Sequence, residues 1–416
     1  MMTLSVPLIN LGLGRSANPT LALAAYAVGF SISVVFNAPV LSARVVTAGL
    51  ARSPAAYRTV ARVMRLLGLV LSGSAVTLSL LPAGKWLFTD LLGAPPELVG
   101  PARLVLLLQA PIPMLVAERG LAQGMILLYR QTVLITLATL ARLAAVTAMV
   151  LLLAVVFRLP GAAAGALSLT SGIAMEALWI RVSVRRRFGP FRRPLPAGTP
   201  VPGTELTSRR VLGFALPLAL NHTVWSMQRA LINSFIARLA DPVTALAAFG
   251  VVTPLFLFFS SPLFGMQATV QVLPRNRRDL RQLARFTLAV AIGLSLSSGI
   301  VVWGAARWIL EAGYGLAGRP LAAALPALAW IWIHPLLMGF RAFGQGMLLR
   351  TGRTGPIALS AASRVVLVSL LGVGLVAGFP EGNGAMIGIS MQMAGDAWDM
   401  VLACLWGARA VRRSLR

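Results

Sequence analysis

Five arginines stand well inside apolar runs of this 416-residue chain: Arg119, Arg142, Arg229, Arg341 and Arg364. Each costs about 2.5–3.5 kcal/mol at the centre of a membrane helix, so such a residue signals either a function or a buried partner. Their spacing adds to this. His222, Ser226, Arg229 and Asn233 follow one another at +4, +3, +4, and His334, Met338, Arg341 and Gln345 repeat that spacing. Each set falls on one face of a helix. A guanidinium is a planar fork that fits carboxylate or phosphate and does not give up its proton. Two such stripes therefore point to recognition of a small anion. The candidate binding residues are Arg229, Arg341, Arg364, His222, His334, Asn233, Gln345, Arg119 and Arg142. The other reading of these arginines is a buried ion pair with Glu118, Glu176, Asp396 or Asp399. No phosphate loop, zinc spacing or nucleophile elbow is present. No enzyme chemistry, metal or cofactor is expected.

These residues belong to a chain that is written twice. Arg119, Gln123, Gly124, Met125 and Arg142 recur 222 positions later as Arg341, Gln345, Gly346, Met347 and Arg364. Asn10, Pro19, Arg58 and Arg62 return after 223 positions as Asn233, Pro242, Arg281 and Arg285. Gly161, Gly165, Gly172 and Glu176 return as Gly384, Gly388, Gly395 and Asp399. A duplicated unit with charges inside apolar segments is the pattern of a transporter whose site lies between two halves. The acids Asp399, Asp396 and Glu176 fall in the last helix of each half, apart from the histidine–arginine stripes. They either neutralise arginines or carry a coupling proton or sodium ion, and are expected to affect coupling more than recognition.

Composition fixes the solvent. The chain is 57% hydrophobic and 12% charged, against about 25% charged residues in a soluble domain. Spanning takes about 20 apolar residues in a helix. Spans are predicted over 1–16 (short), 19–48, 58–84, 101–129, 131–157, 161–183, 211–238, 242–268, 281–310, 321–349, 355–378 and 383–409. The result is an all-α polytopic membrane protein of two parallel six-helix repeats, about twelve helices in all. Residues 1–184 form the first bundle, 185–210 a basic linker and 211–416 the second bundle. Only the tail of the first helix has a counterpart in Val211–Arg238, so that helix is expected to be truncated.

Net charge is +26, nearly all of it arginine, and Lys85 is the only lysine. Arginines crowd the linker, the C-terminus and alternate loops, whereas Asp90, Glu97, Asp241, Glu311 and Glu381 lie in the opposite loops. Positive charge collects on the cytoplasmic side. The expected setting is a bacterial inner membrane with both termini cytoplasmic. No soluble domain carries the charge, so nucleic acid is not an expected partner. The partners expected are the bilayer and a small anion, with the chain acting as a monomer. Cys404 is alone, which excludes a disulfide framework.

Several of these segments resemble the progressive ankylosis (ANK) proteins of the MATE-like (MOP) flippase superfamily. The run from Pro217 through Gln228-Arg229-Ala230-Leu231-Ile232-Asn233 resembles that family's seventh helix. The spacing of Pro335, Arg341, Gly346 and Arg364 is similar to its tenth and eleventh helices, and Gly384 through Gly388, Gly395 and Asp399 to its last. Two positions depart from the pattern. Arg142 and Val6 stand where the family's pattern has acidic residues. The resemblance implies two six-helix bundles around a V-shaped cavity, alternating access, and export of anions such as citrate, nucleotide phosphates or pyrophosphate. A MATE-type cation or drug antiporter, with an acid-lined cavity, is the alternative. A flippase for an acidic lipid-linked saccharide is another.

Overall fold

The computed structural model describes residues 5–414 apart from 130, 132, 158, 188, 190–205, 273, 275 and 352–354. Among these residues all regular structure is helical. The first half contains α1 (Ser5–Leu13), α2 (Pro19–Asn37), α3 (Ala43–Leu50), α4 (Pro54–Leu80), α5 (Pro82–Trp86), α6 (Pro96–Gln109), α7 (Ile112–Leu128), α8 (Val133–Leu151) and α9 (Gly161–Arg187). The second contains α10 (Ser208–Ile236), α11 (Pro242–Ser260), α12 (Met266–Val272), α13 (Arg277–Trp308), α14 (Gly318–Leu328), α15 (His334–Arg350), α16 (Gly355–Gly378) and α17 (Gly384–Ser414). Nine spans among the described residues are long and apolar enough to cross a bilayer. The chain is an all-α polytopic membrane protein.

The duplication extends to the signals that start helices. Asn18 caps α2 ahead of Pro19, and Asp241 caps α11 ahead of Pro242, each side chain accepting from the backbone N–H three residues on. Such caps satisfy a donor that the helix cannot, and proline at the first position has no N–H to lose. Ser53 and Asn276 cap α4 and α13 in the same way.

The predicted spans 19–48, 101–129, 242–268 and 321–349 are each divided. Short 3₁₀ turns separate α2 from α3 at Pro39–Ser42 and α11 from α12 at Ser261–Gly265. Further breaks fall at Ala110-Pro111 and at Ile331–Ile333. Prolines Pro39 and Pro262, and Pro113 and Pro335, mark these breaks in both halves. Proline cannot continue the hydrogen-bond ladder, so the chain still crosses but changes direction. Two boundaries also move. The α9 helix runs to Arg187 and α10 starts at Ser208, which narrows the linker expected over 185–210; its residues 190–205 lie outside the described set. The α1 helix has 9 residues against 29 for α10.

The halves meet along α2 and α11. A Cβ at Gly250 would stand 2.8 Å from the Ala27 Cβ, so glycine is what lets the two backbones approach. Asn10 Nδ2 donates to the Gly250 carbonyl at 2.9 Å, and Asn233 Nδ2 donates to the Ala27 carbonyl at 3.1 Å. Both members of each bond are 223 positions from their counterparts, so the two bonds are repeat images across a pseudo-two-fold joint. At the end remote from the linker the joint is sealed. Arg238 Nη2 donates to the Leu91 carbonyl at 2.8 Å, and Gly14 lies directly on the backbone of Tyr314 and Gly315. At the linker end α3 and α12 make no substantial contact among the described residues. There α10 leans on the first half, with Val211 and Ala215 packed among Ala43, Val46, Met64 and Leu121.

Gly250→Val is expected to overpack this joint and lower stability by about 1–3 kcal/mol. Thermal unfolding of the purified protein in detergent reads this directly. An unchanged unfolding temperature would show that α2 and α11 are not held this closely.

Candidate functional site

Each half buries a charge cluster against its last helix. In the first half Glu176, on α9, receives Arg119 Nη1 from α7 and Arg142 Nη1 from α8, both at 3.0 Å on the same oxygen. Gln123 Nε2 donates to the other oxygen at 3.3 Å. Carboxylate and guanidiniums are all buried. In the second half the repeated positions carry Arg341 (α15), Arg364 (α16) and Asp399 (α17). Arg341 Nε lies 2.7 Å and Arg364 Nη1 3.5 Å from Asp399 Oδ2. Ser360 donates to the other oxygen of Asp399. Asp396 adds a second carboxylate, 3.4 Å from Arg364 and 3.6 Å from Arg341. Its other oxygen faces His334 Nε2 at 3.4 Å, while His334 Nδ1 lies 2.6 Å from Ser260 Oγ.

The last helix of each half is shaped for these arginines. A Cβ at Gly395 would stand 3.1 Å from Arg364 Cγ, and one at Gly172 would stand 3.3 Å from Arg142 Cγ. Glycine at both places lets the arginine stem cross the helix and reach the acid one turn on. The copies differ in satisfaction. The positions equivalent to His334, Ser360 and Asp396 hold Ile112, Ala138 and Ile173 in the first half. In the second half Arg364 is wholly buried, yet its Nε and Nη2 lack hydrogen-bond partners.

Arg229 is placed differently. It lies on α10 at the joint, its guanidinium carbon 5.2 Å from the centroid of the Phe30 ring on α2. It makes no ion pair among the described residues, and its buried Nε has no hydrogen-bond partner. Tyr26 stacks on Phe30 at 5.5 Å. Tyr26 and Gln109 are buried beside it, and the Tyr26 hydroxyl faces the Gln109 amide. A buried polar group left unsatisfied costs about 1–3 kcal/mol. The joint thus holds a cation with no acidic partner among the described residues. Toward the linker end His222 is half-buried, two helical turns from Arg229 on the same helix. Arg44, exposed on α3, lies within coulombic reach of both His222 and Arg119.

The carboxylates therefore do not stand apart from the stripes, as the sequence reading expected. Asp396 and Asp399 touch Arg341, Arg364 and His334, because α15, α16 and α17 converge inside one half. Arg119, Arg142, Arg341 and Arg364 all have acidic partners, which is the second of the two readings of the spacing. Asn233 spends its amide N–H on the joint. Gln345 is buried one turn beyond Arg341. Phe30, Tyr26, Gln109 and Arg44 were not found from sequence. Aromatic residues in apolar helices carry no signal of their own, and Arg44 reads as one more arginine near a helix end.

Residues 217–373 match the family model MatE. No curated protein matches the chain in sequence. Its fold is similar to that of an inward-facing multidrug resistance MATE family transporter of the MOP superfamily. The TM-score is 0.75 at 18% identity, over 99% of this chain and 98% of that one. An outward-facing structure of such a transporter gives 0.60 at 16% identity, over 100% and 94%. A MOP superfamily transporter from Pyrococcus furiosus, described as having a binding pocket of reverse polarity, gives 0.59 at 16% identity, over 100% and 94%. The fold is the one that these MATE and MOP superfamily structures share.

Glu176→Gln removes the one carboxylate that two buried arginines share. Breaking a buried pair costs about 3–5 kcal/mol because a charge is left uncompensated. Asp399→Asn should cost less, since Asp396 still faces Arg341 and Arg364. Unfolding temperatures of the two variants test this order. A reversed order would mean that the two clusters do not share one structural role.

Proposed function

We propose that the protein is a secondary transporter that exports a small organic or phosphorylated anion, of the citrate, nucleotide or pyrophosphate kind, by alternating access. The carrying observation is Arg229: a cation at the joint of the two halves with no acidic partner among the described residues. The five interior arginines face three carboxylates in these clusters, a surplus of two positive charges. An anion arriving from the linker end meets Arg44 and His222 first and Arg229 about 10 Å further along α10, at 1.5 Å per residue. Bound there, it supplies the charge that the joint lacks. The resemblance to ANK proteins supports the same substrate class.

Coupling is assigned to the second-half cluster. Asp396, Asp399 and His334 hold Arg341 and Arg364 by contacts of 2.7–3.6 Å. A proton taken up by either carboxylate frees one arginine and changes how α15 packs on α17. Glu176 has no second acid or histidine beside it and acts as a fixed clamp. The MATE-type cation antiporter reading is weaker, because each of these interior carboxylates is already held by arginine. For the Pyrococcus furiosus transporter a reversed pocket polarity is described as suggesting a different function, which supports the view that pocket charge varies on this fold.

Removing one buried charge-assisted contact costs about 2–5 kcal/mol of binding, some 30-fold or more. Arg229→Gln is expected to weaken anion transport in proteoliposomes by that factor, and Arg229→Lys also, because the planar fork is lost. Arg186→Gln should leave transport unchanged. A well-folded Arg229→Gln protein with normal anion affinity would remove the basis of the proposal.

The orientation proposed places both termini and the linker in the cytoplasm of a bacterial inner membrane, following the arginine-rich loops. Single cysteines at Gly198 and Gly382 in a Cys404→Ser background should then label from opposite sides with an impermeant thiol reagent. Labelling of both from outside would contradict it.

A further inference from the structure

A second group of arginines surrounds a cavity away from the joint. Between α4, α7 and α9, at the linker end of the first half, Tyr57, Arg65, Glu118, Met125, Arg181 and Arg185 line a space of about 150 Å³. Glu118 sits between two guanidiniums. Arg65 Nε is 2.5 Å from one oxygen and Arg181 Nη1 is 3.6 Å from the other. Glu118 is 12% exposed, whereas both arginine side chains are 41% exposed. One carboxylate cannot compensate three cations, and each guanidinium carries five donors. Donors therefore remain for an outside anion.

The surroundings say what kind of anion. Arg65 is the last charge of α4 before the uncharged run 66–80, and Arg181 is the first arginine of α9. Beside them Leu66 is 60% exposed, Leu69 62% and Leu178 60%. Exposed leucines thus adjoin, along α4 and α9, the arginines that line the cavity. A soluble anion would use only the charged part of the surface. An amphiphile with a phosphate headgroup uses both parts, since basic pockets between helices and apolar flanks match the two ends of a phospholipid.

We propose that this cavity binds an anionic phospholipid, its phosphate on Arg65, Arg181 and Arg185 and its acyl chains along Leu66, Leu69 and Leu178. The inference does not depend on the transported substrate. Glu118 and Arg119 are neighbours on α7, so a phosphate that draws Arg65 or Arg181 away from Glu118 acts one residue from the buried Arg119–Glu176 pair. The lipid bridges α4 to α9 at the level where that pair holds the bundle.

Purified full-length protein in neutral detergent is titrated with phosphatidylglycerol, phosphatidylcholine or inorganic phosphate, and binding is read by native mass spectrometry and thermal unfolding. Phosphatidylglycerol alone should bind and raise the unfolding temperature. Arg65→Gln and Arg181→Gln should each weaken that binding about five-fold. Arg186→Gln, the same charge change outside the cavity, should not. Glu118→Gln removes the competing carboxylate and should tighten binding, which a misfolded variant would not do. An equal response to phosphatidylcholine or to inorganic phosphate overturns the proposal. So does unchanged phosphatidylglycerol affinity in a folded Arg65→Gln/Arg181→Gln protein, and, if that protein does not fold, the absence of any gain in Glu118→Gln.

Discussion

A guanidinium in hydrocarbon is costly without a negative partner, and the architecture of the two halves supplies such a partner to four of the five interior arginines. Three helices converge so that one carboxylate on the last of them meets an arginine from each of the other two. The acid is fixed at the same repeat position, Glu176 and Asp399, and so are the arginines. Glycines Gly172 and Gly395 thin the last helix where the arginine stems cross it. Moving any of the three helices by the width of a side chain would separate charges whose desolvation is compensated only at close range. These buried ion pairs tie three helices together within each half.

The joint between the halves is built on the opposite principle. It is held by two repeat-related hydrogen bonds, from Asn10 and Asn233, and by close backbone approach at Gly250. Contacts of this kind join α2 to α11, and α10 packs on α2 as well, whereas α3 and α12 make no substantial contact at the linker end among the described residues. Arg229 stands at this joint, where a ligand's charge would be felt by both halves at once.

The two copies have also diverged. The first half keeps a minimal cluster of two arginines, one glutamate and a glutamine. The second has gained an aspartate, a histidine and serine contacts, yet leaves donors of Arg364 unpaired. A cluster with one acid has one stable arrangement. A cluster with two acids and an imidazole offers more ways to pair its guanidiniums than one acid does.

Much of this was legible in the chain itself. Composition alone required a membrane, the 222–223-residue repeat required two like halves, and proline and capping residues marked where helices begin. Arginine inside apolar runs announced buried chemistry, and the repeated spacing assigned it to matching helices. What the spacing could not decide was whether those arginines face a ligand or an acid, because periodicity gives the face of a helix and not what lies opposite. That depends on which helices pack together, and the convergence of α7, α8 and α9, and of α15, α16 and α17, brought the acids to them. The same packing left Arg229 against Phe30 rather than against a carboxylate. It also assembled the cavity of Arg65, Arg181 and Arg185 from three helices far apart in sequence. Which helices are neighbours is a property of the folded bundle, and it alone separated the four arginines that meet a carboxylate from Arg229, which meets an aromatic ring.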